Sequence, residues 1–241
     1  MKNQYFGDEN DYKKYGVIRA LSESLAERIH VCWMLTRDDS PGQGQSLSYL
    51  EKPDTFRKFD PELFDHLKNV VVGRGERDVR HAAKAVNSAN VSYFLWTLED
   101  NEIIRNIFFR QLERSSKSAG MVFFDPDTGI GPSSVRKGNR SSSRYLFYDE
   151  IGRFYNDLGK SILIYQHWTR VEKGKLRHEV VEKIGMWTGT REVYTLDTNR
   201  MVYFLLPQNR HSKLIKQAVD RIESKWDPLI KVKKYEAGRL V

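Results

Sequence analysis

MVFFDPDTGIGPSS, residues 121–134, contains the clearest indication of the fold class in this sequence. An apolar run ends abruptly at Asp125-Pro126-Asp127 and passes into glycine, proline and serine. Continuous apolar runs are typical of strands that are buried on both faces, as in parallel sheets. Pro126 cannot donate a ladder hydrogen bond, so it ends the strand. The stretch therefore predicts a buried strand whose end carries two carboxylates.

Five further segments are short, apolar and bounded by turn residues, and we interpret them as strands too: 29–35, 91–96, 161–166, 192–196 and 201–206. Apolar residues at helical spacing lie before, between or after these strands, in 18–25, 103–112, 151–158 and 214–226. Strand and helix alternate, which favours a parallel sheet covered by helices. We therefore predict an α/β fold, a single domain over residues 1–241 with a mainly parallel central sheet flanked by helices.

Composition limits the class of protein. The chain of 241 residues is 39% hydrophobic, which is ample for a sizeable core. Its one cysteine, Cys32, excludes a disulfide framework and a cysteine-rich zinc site, and we expect it to be buried. No apolar stretch has the length of a membrane span, and the first residues lack the apolar region of a signal peptide. We expect a soluble cytoplasmic protein.

The charge indicates a polyanionic partner. Forty Lys and Arg against 32 Asp and Glu give a net charge of +8, and neutralising phosphates releases counterions. The basic residues are interleaved with aromatic ones in three segments that we predict to be loops: 135–145, 166–178 and 207–211. We expect DNA or another nucleic acid as the partner and no membrane. The oligomeric state is left open.

Four predicted strand ends carry polar sequence: TRDDSPGQGQS (36–46), DPDTGIGPSS (125–134), YQHWTR (165–170) and PQNRH (207–211). In open parallel sheets, ligands bind outside the carboxyl ends of the strands. We therefore expect these segments to open on one edge of the sheet and to form one site.

The candidate chemistry rests on carboxylates and histidines. A partly desolvated Asp125 or Asp127 can act as a base toward water, although either could simply set a turn. His167 could donate a hydrogen bond to a developing oxyanion, and Trp168 could stack on a base. A structural role for His167 stays equally open. The residues that we expect to contact nucleic acid are Lys13, Lys14, Arg37, Arg140, Ser142, Arg144, Gln166, Trp168, Arg170, Asn209 and Arg210.

Two motifs resemble the uracil-DNA glycosylase superfamily, whose catalytic loops have the forms GQDPYHGPGQ and HPSP. WMLTRDDSPGQGQSLSY (33–49) is similar to the first, with Asp38 near the water-positioning acid, and FLLPQNRH (204–211) then supplies His211. In a second alignment, FFDPDTG (123–129) is the acid loop and YQHWTR supplies the histidine. The resemblance implies a base-flipping hydrolase that cuts an N-glycosidic bond and leaves an abasic site, without metal or cofactor.

FFDPDTG also resembles the DPPY strand end of the class I methyltransferases that act on nucleic-acid amines. The order of SILIYQ, EVYTL and MVYFLL resembles the second half of that family. Asp127 and Thr128 replace the second proline and the aromatic residue. We identify no strand followed by a glycine loop of the kind that cradles S-adenosylmethionine. This resemblance implies an S-adenosylmethionine-dependent amino-methyltransferase.

Two more hypotheses remain open. Asp38, Asp39, Asp125 and Asp127 could gather Mg²⁺ in a nuclease, or the carboxylates could set turns in a binding module. From the sequence, a DNA glycosylase-like hydrolase that removes a normal or modified base is the preferred hypothesis, and defence against phage DNA is a conjectural setting for it. Its predicted catalytic residues are Asp125, Asp127, Asp38, His167 and His211, and it needs no metal.

Overall fold

The computed structural model describes residues 1–37 and 46–236. The strands of its large sheet are β1 Arg28–Cys32, β2 Val91–Phe94, β3 Ala119–Phe124, β6 Ser161–His167, β7 Glu192–Asp197, β8 Met201–Leu206 and β9 Lys231–Glu236, and β4 Gly129–Ile130 pairs with β5 Tyr145–Leu146 in a separate small sheet. The large sheet has the order β2-β1-β3-β6-β8-β7-β9. Strands β2, β1, β3 and β6 are parallel, whereas β8 runs antiparallel to both β6 and β7. Strand β9 closes one edge, antiparallel to β7.

Helices cover both faces of the large sheet. They are α1 Glu9–Ser24, α2 Pro53–Phe56, α3 Pro61–Leu67, α4 Ala82–Val86, α5 Glu102–Ser115, α6 Tyr148–Gly152, α7 Lys173–Thr188 and α8 Ser212–Trp226. One core cluster joins the sheet to α1, α3, α4 and α8, and the other joins it to α5, α6 and α7. The predicted α/β fold with a mainly parallel sheet is confirmed.

Alternation along the central strands explains why they are apolar throughout. In β3, Met121 and Phe123 belong to the first core cluster, while Val122 and Phe124 belong to the second. Successive side chains of a strand point to opposite faces, so a strand between two helix layers must be apolar at every position. Cys32 is free and buried in the same way, as predicted.

Two predictions about the elements need correction. Residues 173–178, predicted as part of a basic loop, begin helix α7, because Glu172 caps the backbone N–H groups of Gly174 and Lys175. The third helical pattern begins as α6 but continues as a π-helical segment, Arg153–Asp157. Helices α2, α3 and α4, between β1 and β2, were not predicted at all.

Candidate functional site

The parallel strands bring three of the four predicted strand ends to one edge of the sheet. The segments after β1, β3 and β6 all leave from carboxyl ends, because these strands point the same way. Residues 207–211 follow the reversed strand β8 and leave from the opposite edge. The prediction that they share the site is therefore wrong. An apolar run such as MVYFLL carries no sign of its direction.

His211, Asn209 and Arg210 are thus separated from Asp125. His211 shares a hydrogen bond of 2.8 Å with Ser161, the first residue of β6, and another of 2.8 Å with Glu27. Arg210 also pairs with Glu27. These contacts tie the turn before α8 to the amino ends of the parallel strands, which is a structural role.

A cleft of about 520 Å³ opens between the carboxyl ends of β3 and β6 and is closed on one side by the start of α1. We call it the β3–β6 cleft. Its lining combines carboxylates, cations and aromatic rings: Met1, Tyr5, Asp8, Asn10, Asp11, Lys14, Ser46, Asp125, Pro126, Asp127, Thr128, Arg144, Tyr165, His167, Trp168 and Arg200.

Helix α1 supplies the charged wall of this cleft. Asp8 is its N-cap and accepts a hydrogen bond of 2.8 Å from the backbone N–H of Asp11. One carboxylate oxygen of Asp11 accepts from the Tyr15 hydroxyl at 2.8 Å, and the other accepts from Lys14 at 2.8 Å. The first turn therefore presents a buried, fully oriented ion pair to the end of β3.

Asp125 is the buried carboxylate at the end of β3, with 1% of its surface exposed. Its Oδ2 accepts from the Lys14 Nζ at 2.8 Å, and its backbone oxygen accepts from the amino group of Met1 at 3.2 Å. Burial raises the pKa of Asp125, although Lys14 and that amino group oppose the shift. Burial also disfavours the Lys14 cation, but Asp11 and Asp125 outweigh it and raise the pKa of Lys14.

Asp127 lies two residues further along and is held by cations. Its Oδ2 is 2.9 Å from Arg144 Nε and 3.4 Å from Lys2 Nζ. Burial acts to raise the pKa of Asp127, but the amino group of Met1, Lys2 and Arg144 together lower it. Asp127 is therefore ionised at neutral pH.

Gln166 fixes the turn that follows Asp127. Its Oε1 accepts from the Ile130 N–H at 2.7 Å, and its Nε2 donates to the His167 carbonyl. Gly129 lies directly against it at φ +137, where an added Cβ would come within 2.3 Å of Oε1. Gln166 is buried and serves the loop, so the prediction that it contacts nucleic acid is wrong.

His167 and Trp168 end β6 and line the same cleft. The His167 Nε2 shares a hydrogen bond of 3.1 Å with the Tyr165 hydroxyl, and burial lowers the pKa of His167, so the ring is neutral at pH 7. The indole of Trp168 donates to the Thr198 carbonyl at 2.8 Å. The guanidinium of Arg177 and the ammonium of Lys173 lie over its ring.

A second cleft of about 530 Å³ lies at the carboxyl ends of β1 and β2, and we call it the β1–β2 cleft. Its lining is Lys2, Thr36, Arg37, Leu98, Glu99, Asp100, Asn101, Ser141, Ser143 and Arg144. Arg144 lines both clefts, and Lys2 lines this one while pairing with Asp127 in the other. Residues 125–128, which we call the DPDT turn, and the cations that hold Asp127 therefore lie between the two clefts.

The polar groups of the β1–β2 cleft differ in how far they are committed to the protein. Glu99 is half exposed and bound only loosely, at 3.5 Å, by Arg37. Among the described residues, the buried Oγ1 of Thr36 has no hydrogen-bond partner. Asp100 is committed to the protein, because it accepts from the backbone of Ser141 and Ser143. Glu99 and Thr36 are thus the groups free to meet ribose or amino groups.

The remaining predicted contact residues divide by exposure. Arg37, Arg140, Arg144 and Arg170 are exposed at the edge that holds the clefts or on the loops beside it. Lys13, Lys14 and Ser142 are buried, which corrects the prediction that they face a nucleic-acid backbone. Lys13 instead pairs with Glu9 and Asn199. Asp38 and Asp39 lie outside the described residues.

Sequence reasoning missed the part played by the start of α1. Asp8, Asp11 and Lys14 are three residues apart, so they share one face of the first helical turns. That spacing was visible in DENDYKK (8–14), but nothing in it showed that the face would close onto β3.

Comparison with known proteins shows the fold alone. No family model and no curated protein sequence matches the chain. Among solved structures, it is similar to protein LPL1258 of Legionella pneumophila, a DUF519 protein, with a TM-score of 0.50 and 10% identity over 98% of this chain and 100% of that one. Both chains therefore share an overall architecture.

Two classes of feature are absent from residues 1–37 and 46–236. No helix there combines the length and apolarity needed to cross a membrane. No three His, Cys, Asp or Glu side chains in those ranges are grouped so that they could hold a metal ion.

Proposed function

We propose that the protein is an S-adenosylmethionine-dependent methyltransferase that acts on an amine of a nucleic acid in the cytoplasm. The observation that carries the proposal is the position of the DPDT turn between two clefts at the carboxyl edge of the sheet. Group transfer needs a donor and an acceptor side by side, and this turn separates two spaces of similar volume.

The strand order supports the same proposal. The last three strands in the sequence before β9 are β6, β7 and β8, and β8 returns between the other two in the sheet. This is the second half for which the sequence resembles the class I methyltransferases. DPDT stands at the end of β3, the position of the DPPY motif in that resemblance. The similarity to the LPL1258 structure adds the overall fold and nothing about activity.

We assign the β1–β2 cleft to the methyl donor. S-adenosylmethionine, when bound, supplies an electrophilic methyl group on a sulfonium. Glu99 would accept hydrogen bonds from hydroxyl or amino groups of S-adenosylmethionine. The buried Oγ1 of Thr36 would gain from this ligand the hydrogen-bond partner that it lacks among the described residues.

We assign the β3–β6 cleft to the acceptor. Tyr5 and Trp168 line this cleft, and they would take the place of the DPPY tyrosine, which is Thr128 in this sequence. Asp125 and Asp127 place carboxylate oxygens where an amino group can donate hydrogen bonds. Arg144 and Arg200 add positive charge for a phosphate backbone.

The first test is binding and transfer with wild-type protein. Titration calorimetry should show S-adenosylmethionine binding, and tritium from its methyl group should pass to cellular DNA or RNA. Glu99→Gln should weaken S-adenosylmethionine binding about tenfold, the effect of about 1.4 kcal/mol. Glu223→Gln, an exposed change on α8, is the matched control. Absence of binding by the wild type at millimolar ligand would refute the proposal.

Asp127→Asn tests the turn itself. We expect the variant to keep its fold and its nucleic-acid binding but to lose transfer, because the carboxylate faces the acceptor. Binding by fluorescence anisotropy and transfer by tritium counting separate these effects. A parallel fall of binding and transfer would show that Asp127 only sets the turn.

Base excision is the second candidate, favoured by the presence of Asp127, His167 and Trp168 in one cleft. A glycosylase would use Asp127 to stabilise a positive sugar and neutral His167 to help the leaving base. DNAs carrying normal and modified bases, incubated without metal or S-adenosylmethionine and then treated with alkali, test it. Cleavage at abasic sites would favour excision, and intact strands across the panel would remove it.

A further inference from the structure

Methylation of an amine leaves a proton to be removed. The amine nitrogen forms a bond to the methyl carbon, and the bond between that carbon and sulfur breaks with its electron pair staying on sulfur. The nitrogen then carries a positive charge and an extra proton. A group that lines the β3–β6 cleft and is free to take up a proton would complete the reaction, if the proposed function holds.

Most basic groups of the cleft are already engaged. Asp11 and Asp125 each lie 2.8 Å from the Lys14 ammonium. Asp127 is bound by Arg144 and Lys2. A proton on any of these carboxylates would break a buried ion pair, which is costly. His167 shares its Nε2 with the Tyr165 hydroxyl.

Asp8 differs from the other carboxylates of the cleft because it is not held by a described cation. It lines the cleft and is 7% exposed, yet it forms no ion pair with any described residue. Its hydrogen bond from the Asp11 N–H fixes Oδ1 at the helix start. The Oδ1 of Asn10, two residues further along, has no partner among the described residues, and Asn10 lines the same cleft. Asp8 therefore offers this cleft a carboxylate that is not paired with a described cation.

We propose that Asp8 is the proton acceptor of the transfer reaction. The proton on the methylated nitrogen passes to an Asp8 carboxylate oxygen, which leaves a neutral methylamine and a neutral carboxylic acid. Solvent at the cleft mouth then removes the proton from Asp8 before the next turnover.

The electrostatic surroundings agree with this role. Burial, and then repulsion by Asp11, raises the pKa of Asp8 to about 7, while Lys14 opposes the shift. A base whose pKa lies near the working pH is the most effective. The charged and titratable groups around Asp8 are Asp11, Lys14 and Tyr15 on α1, Tyr49 before α2, Tyr165 on β6 and Tyr203 on β8, with Asp125, Asp127, Arg144, His167 and Arg200 lining the same cleft.

Asp8→Asn is the discriminating variant, because Asn caps a helix as well as Asp does. Asp8→Ser is a second cap-competent variant without a carboxylate. Asp78→Asn changes another N-cap that accepts from a backbone N–H but does not line the cleft, so it is the matched control. The probe is tritiated S-adenosylmethionine with total cellular nucleic acid, in single turnover between pH 5.5 and 8.5.

We expect the wild-type rate to rise with pH and level off above about pH 7, since the base must be ionised. Both Asp8 variants should bind S-adenosylmethionine normally by calorimetry, transfer the methyl group about 100-fold more slowly, and lose that pH dependence. Carboxyl ¹³C NMR of the wild type should show one aspartate titrating near pH 7 that Asp8→Asn removes. Wild-type rates and an unchanged pH profile in Asp8→Asn, or no such titration, would overturn the proposal. Failure of the wild type to bind S-adenosylmethionine would overturn the proposed function as well.

Discussion

Lys14 is the residue that balances charge in the site. Its ammonium contacts Asp11 and Asp125 and lies over the rings of Trp33 and Tyr165. Buried carboxylates are tolerated only when they are paired, so one cation holds two acids in the core.

Lys14→Met should therefore destabilise the fold by about 3–5 kcal/mol, the usual cost of removing one partner from a buried ion pair. Urea denaturation measures the change. Lys216→Ala, which removes an exposed pair with Asp220, is the control and should cost less than about 1 kcal/mol. Equal losses of unfolding free energy in the two variants would show that the buried ion pairs of Lys14 stabilise the fold no more than an exposed pair does.

The raised pKa of Asp8 also predicts how the stability of the fold depends on pH. Its pKa of about 7 in the fold lies above the ordinary value of 3.8, so the native state binds the proton more tightly than the unfolded chain. The stability that Asp8 contributes is present below about pH 4 and is lost as pH rises through 7. Relative to Asp8→Asn, the wild type should lose more than about 1 kcal/mol of unfolding free energy between pH 5.5 and 8.

The control for this prediction is Asp78→Asn. Arg80 lowers the pKa of Asp78, so that group does not titrate in the same window. Its difference from the wild type should stay constant between pH 5.5 and 8. If the difference in unfolding free energy between the wild type and Asp8→Asn is also constant, Asp8 does not titrate between pH 5.5 and 8.

At the scale of elements, the site depends on how closely α1 approaches α8. A Cβ on Gly16 would lie 2.0 Å from the ring of Trp226, which also packs 5.0 Å from Tyr12. Gly16 therefore permits the contact that brings the start of α1 over the end of β3.

Gly16→Ala should destabilise the protein by about 1–3 kcal/mol through overpacking, although alanine is the better helix former by about 1 kcal/mol. Thermal unfolding by circular dichroism checks the sign. Gly174→Ala is a helical control, because its Cβ would meet only the carboxylate of Glu172 that caps α7, so it should cost no more than the loss of that cap, about 1 kcal/mol. A stabilised Gly16→Ala protein would show that α1 and α8 can separate at little cost.

At the scale of the whole molecule, the net charge of +8 concerns the partner rather than the fold. Arg170 and Arg200 are exposed near the mouth of the β3–β6 cleft, since one follows β6 and the other lines the cleft. They are the cations best placed to meet a nucleic-acid backbone that delivers a base to it.

Arg170→Ala and Arg200→Ala should each weaken DNA binding and reduce the slope of log K against log salt by about 0.7–0.9, the loss of one phosphate contact. Fluorescence anisotropy between 50 and 250 mM salt, roughly the range in which such slopes are measured, suffices. Arg221→Ala, an equally exposed change on α8 that breaks a pair with Glu23, is the control. An unchanged salt slope in all three variants would show that neither Arg170 nor Arg200 contacts a phosphate, so that DNA binds to another surface.

The fold class and the strand ends on one edge of the site could be predicted from the amino-acid sequence. Runs such as MVFF are apolar at every position because helices cover both faces of the sheet, so the strands could be recognised one by one. Pro126 and the glycines after it marked where β3 ends, and YQHWTR marked the end of β6. The local chemistry of these segments is sufficient to predict them, since burial and turn formation depend on neighbouring residues.

Which strand ends lie together could be learned only from the folded chain. The direction of β8 placed His211 at the far edge. The packing of α1 brought Lys14 to Asp125, and Asp8 to the same cleft, over more than a hundred residues of sequence. Strand direction and helix docking are set by the burial of whole faces against one another. No short pattern encodes them, because their free energy comes from contacts between residues that are distant in the chain.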